Sequence, residues 1–305
     1  MTSQTSPGIT GSFEPGIGMK QSGIWKAAYC CQFLKLLTSR YIITTRVTNR
    51  QILITQSGVC SGEKMHIPDG YLGPITFVAL YVVMIPIWLY AGHWVQKSLR
   101  SRQVPYLALA AAFSFVIMMF NVPVPGGSSG HAVGSALVAI ILGPWTAVVT
   151  TSVALLIQCL LFGDGGVTAF GANCFNMGVV IPFLSYYVYR LIAGRSAITS
   201  NLRIAGAAVA GYVGLTVAAV VAGFEMGIQP ILEHTPAGVP LYMPYGLNVT
   251  VPAMLIEHAA FFSWVEAIIT GLAFAYIARN NPGIIFDYGP RNDKKMNAGQ
   301  VAVPV

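Results

Sequence analysis

The stretch YLGPITFVALYVVMIPIWLYAGHWVQ, residues 71–96, decides the fold class of this chain. It contains no Asp, Glu, Lys or Arg and is longer than the ~20 apolar residues that a helix needs to cross a bilayer. The whole chain agrees: of 305 residues, 9% are charged and 55% are hydrophobic, and the mean hydropathy is +0.65. This composition predicts a polytopic membrane protein rather than a soluble domain.

Seven apolar segments occur after Gly70, and we predict an all-α integral membrane protein with about seven transmembrane helices. The third segment is the doubtful one, because at 1.5 Å per residue it covers only ~16 Å of a ~30 Å hydrocarbon core. It could instead join the fourth as one long helix kinked at Gly143-Pro144. The segments are 71–96, 105–120, 132–142, 145–162, 172–193, 203–226 and 251–278.

The positive charges favour seven crossings. If Met65 lies outside, seven crossings place every Lys/Arg cluster after it in the cytoplasm, as the positive-inside rule expects, whereas six would split the clusters. The clusters are Lys97, Arg100 and Arg102; Arg190, Arg195 and Arg203; and Arg279, Arg291, Lys294 and Lys295. The predicted outer loops then contain Asp69, Asp164 and Glu233 but no Lys or Arg. A cation arriving from outside would meet no fixed positive charge.

The chain divides into three predicted parts: a poorly structured extension over 1–64, a transmembrane metal-binding domain over 65–283 and a basic cytoplasmic tail over 284–305. The extension holds seven Lys/Arg against two Asp/Glu and has no evident export signal, yet the topology above requires it to cross the membrane. We therefore expect that Met65 is the true start and that an upstream start codon has been chosen wrongly. The alternative is a disordered cytosolic tail.

The motif MHIPDG at 65–70 is a potential metal chelator if Met65 is the first residue. The α-amine of Met65, the backbone nitrogen of His66 and a ring nitrogen of His66 can close two chelate rings on one cation. A fourth nitrogen would complete the planar set that Ni(II) and Cu(II) favour and Co(II) accepts. His131, which ends the Pro/Gly-rich stretch 121–131, is our candidate for it, although a lone histidine before a helix is more often structural.

Other polar residues allow two interpretations. Asp164 and Asn173, in a second Gly-rich turn, either orient a ligand imidazole or serve as turn and cap residues. Glu225, Glu257, His258 and Glu266 lie in or near the late helices, where ionisable groups are costly. They are either functional or satisfied by neighbouring helices. Cys159 and Cys174 are predicted to be small buried side chains outside any disulfide framework.

At the metal-site residues the chain resembles the CbiM/NikM family, the cobalt/nickel substrate-binding (S) components of energy-coupling factor (ECF) transporters. The resemblance covers residues 65–283 and rests on MHIPDG, NVPVPGGSSGH, LLFGDGGVTAFGANCFNMG and PLYMPYGLNVTVPAML, which begin at positions 65, 121, 160 and 240. It implies that the ion is held by the Met65 amine, the His66 backbone and side chain, and His131. With residues 1–64 attached, Met65 would have no free amine and this site could not form.

The resemblance also implies the function and the partners. It predicts a multi-pass cell-membrane protein that carries Ni(II) or Co(II) as transported ligand, without a resident cofactor or a nucleic-acid partner. The expected partners are a transmembrane coupling (T) protein, an ABC-type ATPase pair and small accessory membrane subunits. Small residues at Ala108 and Ala112 suit close approach of a partner helix. No GxxxxGK[ST] motif occurs in the chain, so ATP hydrolysis is expected on separate subunits and this chain is not expected to be an enzyme.

Two other functions compete with this prediction. An intramembrane hydrolase is less well supported, because the GxGD motif of aspartyl proteases is broken by Leu161 and HExxH is absent. A self-sufficient carrier or channel for divalent cations stays open. Uptake that requires ATPase partners would separate the S component from the carrier.

Overall fold

The computed structural model describes residues 66–98, 104–124 and 128–285, and these are mostly helical. Each predicted apolar segment corresponds to one helix. In chain order the helices are α1 Pro74–Ser98, α2 Val104–Met118, α3 Ser135–Leu142, α4 Pro144–Phe162, α5 Phe170–Ala193, α6 Asn201–Leu232 and α7 Leu247–Asn280. The extension over 1–64 and Met65 lie outside the described residues, as does most of the predicted tail.

The Pro/Gly-rich stretch before His131 forms a small hairpin rather than a simple turn. Strand β1, Val122–Val124, pairs antiparallel with β2, Ser128–Gly130, so that Val122 lies opposite Gly130. It is the one sheet in the described part of the chain. The all-α prediction is otherwise confirmed, and the hairpin reverses the chain just before His131.

Within the described residues five helices, α1 and α4 to α7, are long and apolar enough to cross a bilayer. Helix α2 has 15 residues, and the eight residues of α3 cover only about 12 Å. The backbone leaves helical geometry between α3 and α4, because Gly143 has a φ of 91° and a ψ of 154°. They are thus two helices rather than one kinked helix. The prediction of a polytopic membrane protein is confirmed, whereas seven crossings and an outer Met65 stay predictions.

Helix α6 packs along α5 and α7. Small residues make this possible: a Cβ on Gly211 would lie 3.1 Å from Thr270 Oγ1 of α7, and one on Gly214 would lie 3.2 Å from the Ile181 carbonyl of α5. Without a hydrophobic driving force between helices in lipid, such close backbone approach is how helices gain packing energy. Large side chains such as Leu89, Leu191 and Leu272 point outwards instead and are exposed, as expected of a lipid-facing surface.

The loops predicted to share the outer face meet at one end of the bundle. The Gly166 N–H donates to the Ile67 carbonyl at 3.0 Å, and the Met243 N–H donates to the Tyr71 carbonyl at 3.3 Å. The Glu233 carboxylate accepts from the Ile75 N–H at 2.9 Å. These contacts join the segment before α1 and the start of α1 to the loops after α4 and α6.

Candidate metal site

His66 belongs to a non-helical segment that is held by side chains of other elements. Asn173 of α5 donates from Nδ2 to the Ile67 carbonyl and accepts from the Ile67 N–H at Oδ1, both at 3.1 Å. The side chain of one asparagine thus pairs with both backbone groups of the residue after His66. Because these bonds are buried and leave the peptide little freedom, they fix where His66 lies.

The turn after α4 closes over the same segment. Asp69 accepts from the Val167 N–H at 3.2 Å and from the Thr168 N–H at 2.8 Å. Gly165 adopts a φ of +86°, and a Cβ there would lie 3.1 Å from the Cβ of His66. Both the backbone conformation and the space therefore favour glycine at this position. The His66 side chain is consequently buried, with 4% of the residue exposed.

His131 follows the hairpin and precedes α3, and only 7% of it is exposed. Its Nδ1 lies 2.9 Å from the Ala132 carbonyl, so Nδ1 carries the proton and donates, which leaves the Nε2 lone pair available. Burial, with a smaller effect of His66, lowers the pKa of His131 to about 3. The imidazole is therefore neutral at physiological pH, which is the form that binds metals.

The structure brings the two predicted imidazoles together from 65 positions apart in the chain. The ring centroids of His66 and His131 lie 5.0 Å apart with an interplanar angle of 70°. Nδ1 of His66 lies 3.3 Å from Oδ2 of Asp164, and neither ring nitrogen of His66 makes a hydrogen bond within the described residues. Two buried imidazoles with available lone pairs are a donor set suited to Ni(II), Co(II), Cu(II) or Zn(II).

Asp164 and Asn173 have different roles in this arrangement. Asp164 contacts the His66 ring, as the orienting interpretation expects. Asn173 instead holds the backbone of Ile67, so it acts on the chain that carries the imidazole. Cys159 and Cys174 are free and buried, in agreement with the sequence.

Among the described residues, His66 and His131 each offer one ring nitrogen to a metal ion, and no larger cluster of ligand side chains is present. Among them no group of three or more His, Cys, Asp or Glu side chains is placed to hold a metal ion. The remaining donors predicted for the site are backbone and terminal nitrogens rather than side chains. The donors predicted from Met65 lie outside the described residues, and the ligand set of Met65, His66 and His131 stays a prediction.

Sequence reasoning did not identify the contacts of the buried glutamates. Glu225 of α6 accepts from Asn176 Nδ2 at 2.7 Å. Glu266 of α7 accepts from the backbone N–H groups of Val133 and Gly134, two and three residues after His131. The only signal in the sequence was the presence of carboxylates in apolar helices, which indicates a partner without naming it.

Fold and site together define a multi-pass membrane protein with a buried pair of imidazoles at one end of its helix bundle. Residues 66–284 match the family described as the cobalt uptake substrate-specific transmembrane region, CbiM. The chain belongs to this family, and it is a transport component of the CbiM type.

Similar proteins include two fused nickel transport proteins. The probable protein LarMN of Lactiplantibacillus plantarum is 46% identical over 233 residues, which cover 76% of this chain and 70% of that protein. NikMN of Rhodobacter capsulatus is 48% identical over 221 residues, which cover 72% of this chain but only 64% of that protein. The crystal structure of a truncated transition metal transporter superposes with a TM-score of 0.66 at 47% identity, covering 70% of this chain and 99% of that one.

Proposed function

We propose that this protein is the substrate-capturing S component of an ECF-type importer in the cell membrane and that its cargo is Ni(II) or Co(II). The cation is held by the amine of Met65, the backbone and ring nitrogens of His66, and His131. The observation that carries the proposal is the buried imidazole pair, with 5.0 Å between the ring centroids of His66 and His131. The names of the fused nickel transport relatives support the same cargo class.

We propose that the His66 ring turns when this ligand set forms. Only Nδ1 can close a six-membered chelate ring with the residue's own backbone nitrogen, yet Nδ1 lies 3.3 Å from Oδ2 of Asp164. A half-turn about the Cβ–Cγ bond exchanges Nδ1 with Cδ2 and frees Nδ1 from Asp164. In this proposal Asp164 lies beside the ring before the cation arrives, and Nδ1 turns away from it when the cation binds.

A metal titration of the purified protein tests the capture site. We expect His131→Ala and His66→Ala each to weaken Ni(II) binding on the order of 100-fold, since four ligands share a typical total of ~10–16 kcal/mol. Acetylation of the amino terminus should have a similar effect. Unchanged Ni(II) affinity in any of the three would contradict the ligand set, and Edman sequencing of the membrane-inserted protein establishes whether Met65 is its first residue.

Methylated histidines at position 66 test the choice of ring nitrogen. Nδ1-methylhistidine blocks the chelating nitrogen, whereas Nε2-methylhistidine leaves it available. We expect the Nδ1-methyl form to lose Ni(II) binding and the Nε2-methyl form to keep it. The reverse order would mean that Asp164 keeps its contact with Nδ1 and that the cation binds through Nε2.

The transport role requires partners that hydrolyse ATP. We propose a T protein, an ABC-type ATPase pair and small accessory subunits, with the exposed Ala108 and Ala112 on α2 available for a partner helix. Uptake of 63Ni(II) into vesicles should rise with ATP only when the whole complex is reconstituted. Equal uptake by this chain alone would favour the self-sufficient carrier.

A further inference from the structure

Glu266 of α7 is fully buried. Its carboxylate accepts hydrogen bonds from backbone N–H groups at the start of α3. Oε2 accepts from the Val133 N–H at 2.7 Å and from the Gly134 N–H at 3.0 Å, and Oε1 lies 3.1 Å from the Gly134 nitrogen. The exposed fraction of Glu266 is 0%. A carboxylate inside an apolar bundle is costly unless it is hydrogen-bonded, and this one is bonded through both oxygens.

The bonds supply a cap that α3 cannot make for itself. The N-cap residue of α3 is Gly134, which has a φ of 74° and no side chain with which to accept a hydrogen bond. The first N–H groups of a helix have no partner within the helix, and its amino-terminal end attracts negative charge. Glu266 supplies acceptors for the N–H of the N-cap residue Gly134 and for that of Val133 before it, from more than 130 positions along the chain.

The same stretch of α7 also confines the residue before His131. Phe262, one turn before Glu266, is fully buried and touches Gly130 so closely that a Cβ on Gly130 would overlap its ring. A Cβ on Gly134 would lie 2.7 Å from Cε1 of Phe113 of α2. His131 therefore lies between two backbone positions, Gly130 and Val133-Gly134, that α7 holds by contact and by hydrogen bond.

We infer that Glu266 is the positioning residue of His131: its carboxylate fixes the backbone of Val133 and Gly134 so that the His131 imidazole faces His66. The inference rests on the proposed function, because it assigns to Glu266 an effect on the metal through His131. Glu266 does not touch the cation. Its hydrogen bonds determine whether the fourth nitrogen is in place when the other three have bound.

A double-mutant cycle between Glu266 and His131 tests this assignment. Glu266→Leu removes both acceptor oxygens at similar volume, and we expect it to weaken Ni(II) binding by about 10–100-fold, as loss of an orienting group around a metal typically does. Because its effect passes through His131, the double variant E266L/H131A should bind within about twofold of H131A alone. Additive losses, or an E266L protein with unchanged affinity, would overturn the inference.

Cu(II) electron paramagnetic resonance supplies a readout that a purely structural role would not change. The protein saturated with Cu(II) should show four coordinated nitrogens, whereas both H131A and E266L should show three nitrogens and one oxygen. A four-nitrogen spectrum in a folded E266L protein would overturn the assignment. The matched control is Glu225→Gln, which changes another buried glutamate, one that contacts Asn176 rather than the His131 loop. It should leave the affinity and the nitrogen count unchanged.

Two further outcomes separate this inference from the function on which it rests. If H131A binds Ni(II) as well as the unmodified protein, the proposed ligand set fails and the inference fails with it. If H131A loses binding while E266L keeps it, the inference alone fails. Should E266L not fold, Glu266→Gln keeps one acceptor oxygen and the full reach of the side chain. It should then give a smaller loss with the same lack of additivity.

Discussion

The two histidines of the candidate site are supported in different ways. His66 lies in a loop segment whose backbone is held by Asn173 and closed over by Gly165, both from one short region after α4. His131 lies between backbone positions that α7 fixes through Glu266 and Phe262. One support is built from loop contacts at the end of the bundle, and the other from packed helices. The two supports share no hydrogen bond, so each can be removed while the other stays.

The largest expected effect comes from removing the support of His66. Asn173→Leu leaves the N–H and the carbonyl of Ile67 without their partner, and we expect Ni(II) affinity to fall by about 10–100-fold, as for other groups that orient a ligand. Isothermal titration with Ni(II) measures it. Asn176→Leu, one helical turn further along α5, is the matched control because Asn176 contacts Glu225 instead. Equal losses in the two variants would show that general destabilisation of α5, and not the hold on Ile67, is responsible.

The burial of His131 should make the free energy of unfolding of the metal-free protein depend on pH. Its pKa is about 3 in the folded protein against 6.5 for an unperturbed histidine. Between these values the unfolded state binds more protons, so the free energy of unfolding decreases as the pH falls. From pH 7.5 to pH 5 the loss amounts to about 2 kcal/mol.

Thermal unfolding of the metal-free protein in detergent, compared with His131→Asn, measures this contribution. Asparagine does not titrate, so the variant should lose less stability than the unmodified protein over the same pH range. Groups shared by both proteins cancel in the comparison. Parallel pH curves would mean that His131 is not held neutral in the fold.

The difference between the two supports also explains how much the sequence could reveal. The five long apolar runs predicted their helices, because membrane spans must be long and largely uncharged. Residues 163–173 could be proposed as neighbours of His66, because the charge pattern assigns the loop before α1 and the loop after α4 to the same face. The partner of Glu266 could not be predicted, since it consists of backbone N–H groups more than 130 positions away. Every residue type except proline has such a group, so the sequence does not mark the partner. The hairpin before His131 was missed because Pro and Gly obscure strand patterns.

A smaller effect is expected at Gly165, where two glycines of similar backbone conformation can be compared. Gly165→Ala introduces strain at a φ of +86° and places a Cβ 3.1 Å from that of His66, whereas Gly238→Ala introduces similar strain at a φ of +77° in open space. Both should cost roughly 1 kcal/mol of stability. Only Gly165→Ala should also weaken Ni(II) binding, by about tenfold, because it displaces His66. Equal Ni(II) affinities in the two variants would contradict the close approach at His66.

The smallest effect is expected at Glu233, which lies at the same end of the bundle but supports neither histidine. Its Oε1 accepts from the Ile75 N–H at the start of α1, and glutamine keeps that acceptor while removing the charge. Because its hydrogen bond is with Ile75 and not with either histidine, Glu233→Gln should change Ni(II) affinity by less than about twofold. A loss as large as that of Asn173→Leu would show that the loops respond as one unit, and the two supports would then no longer be independent.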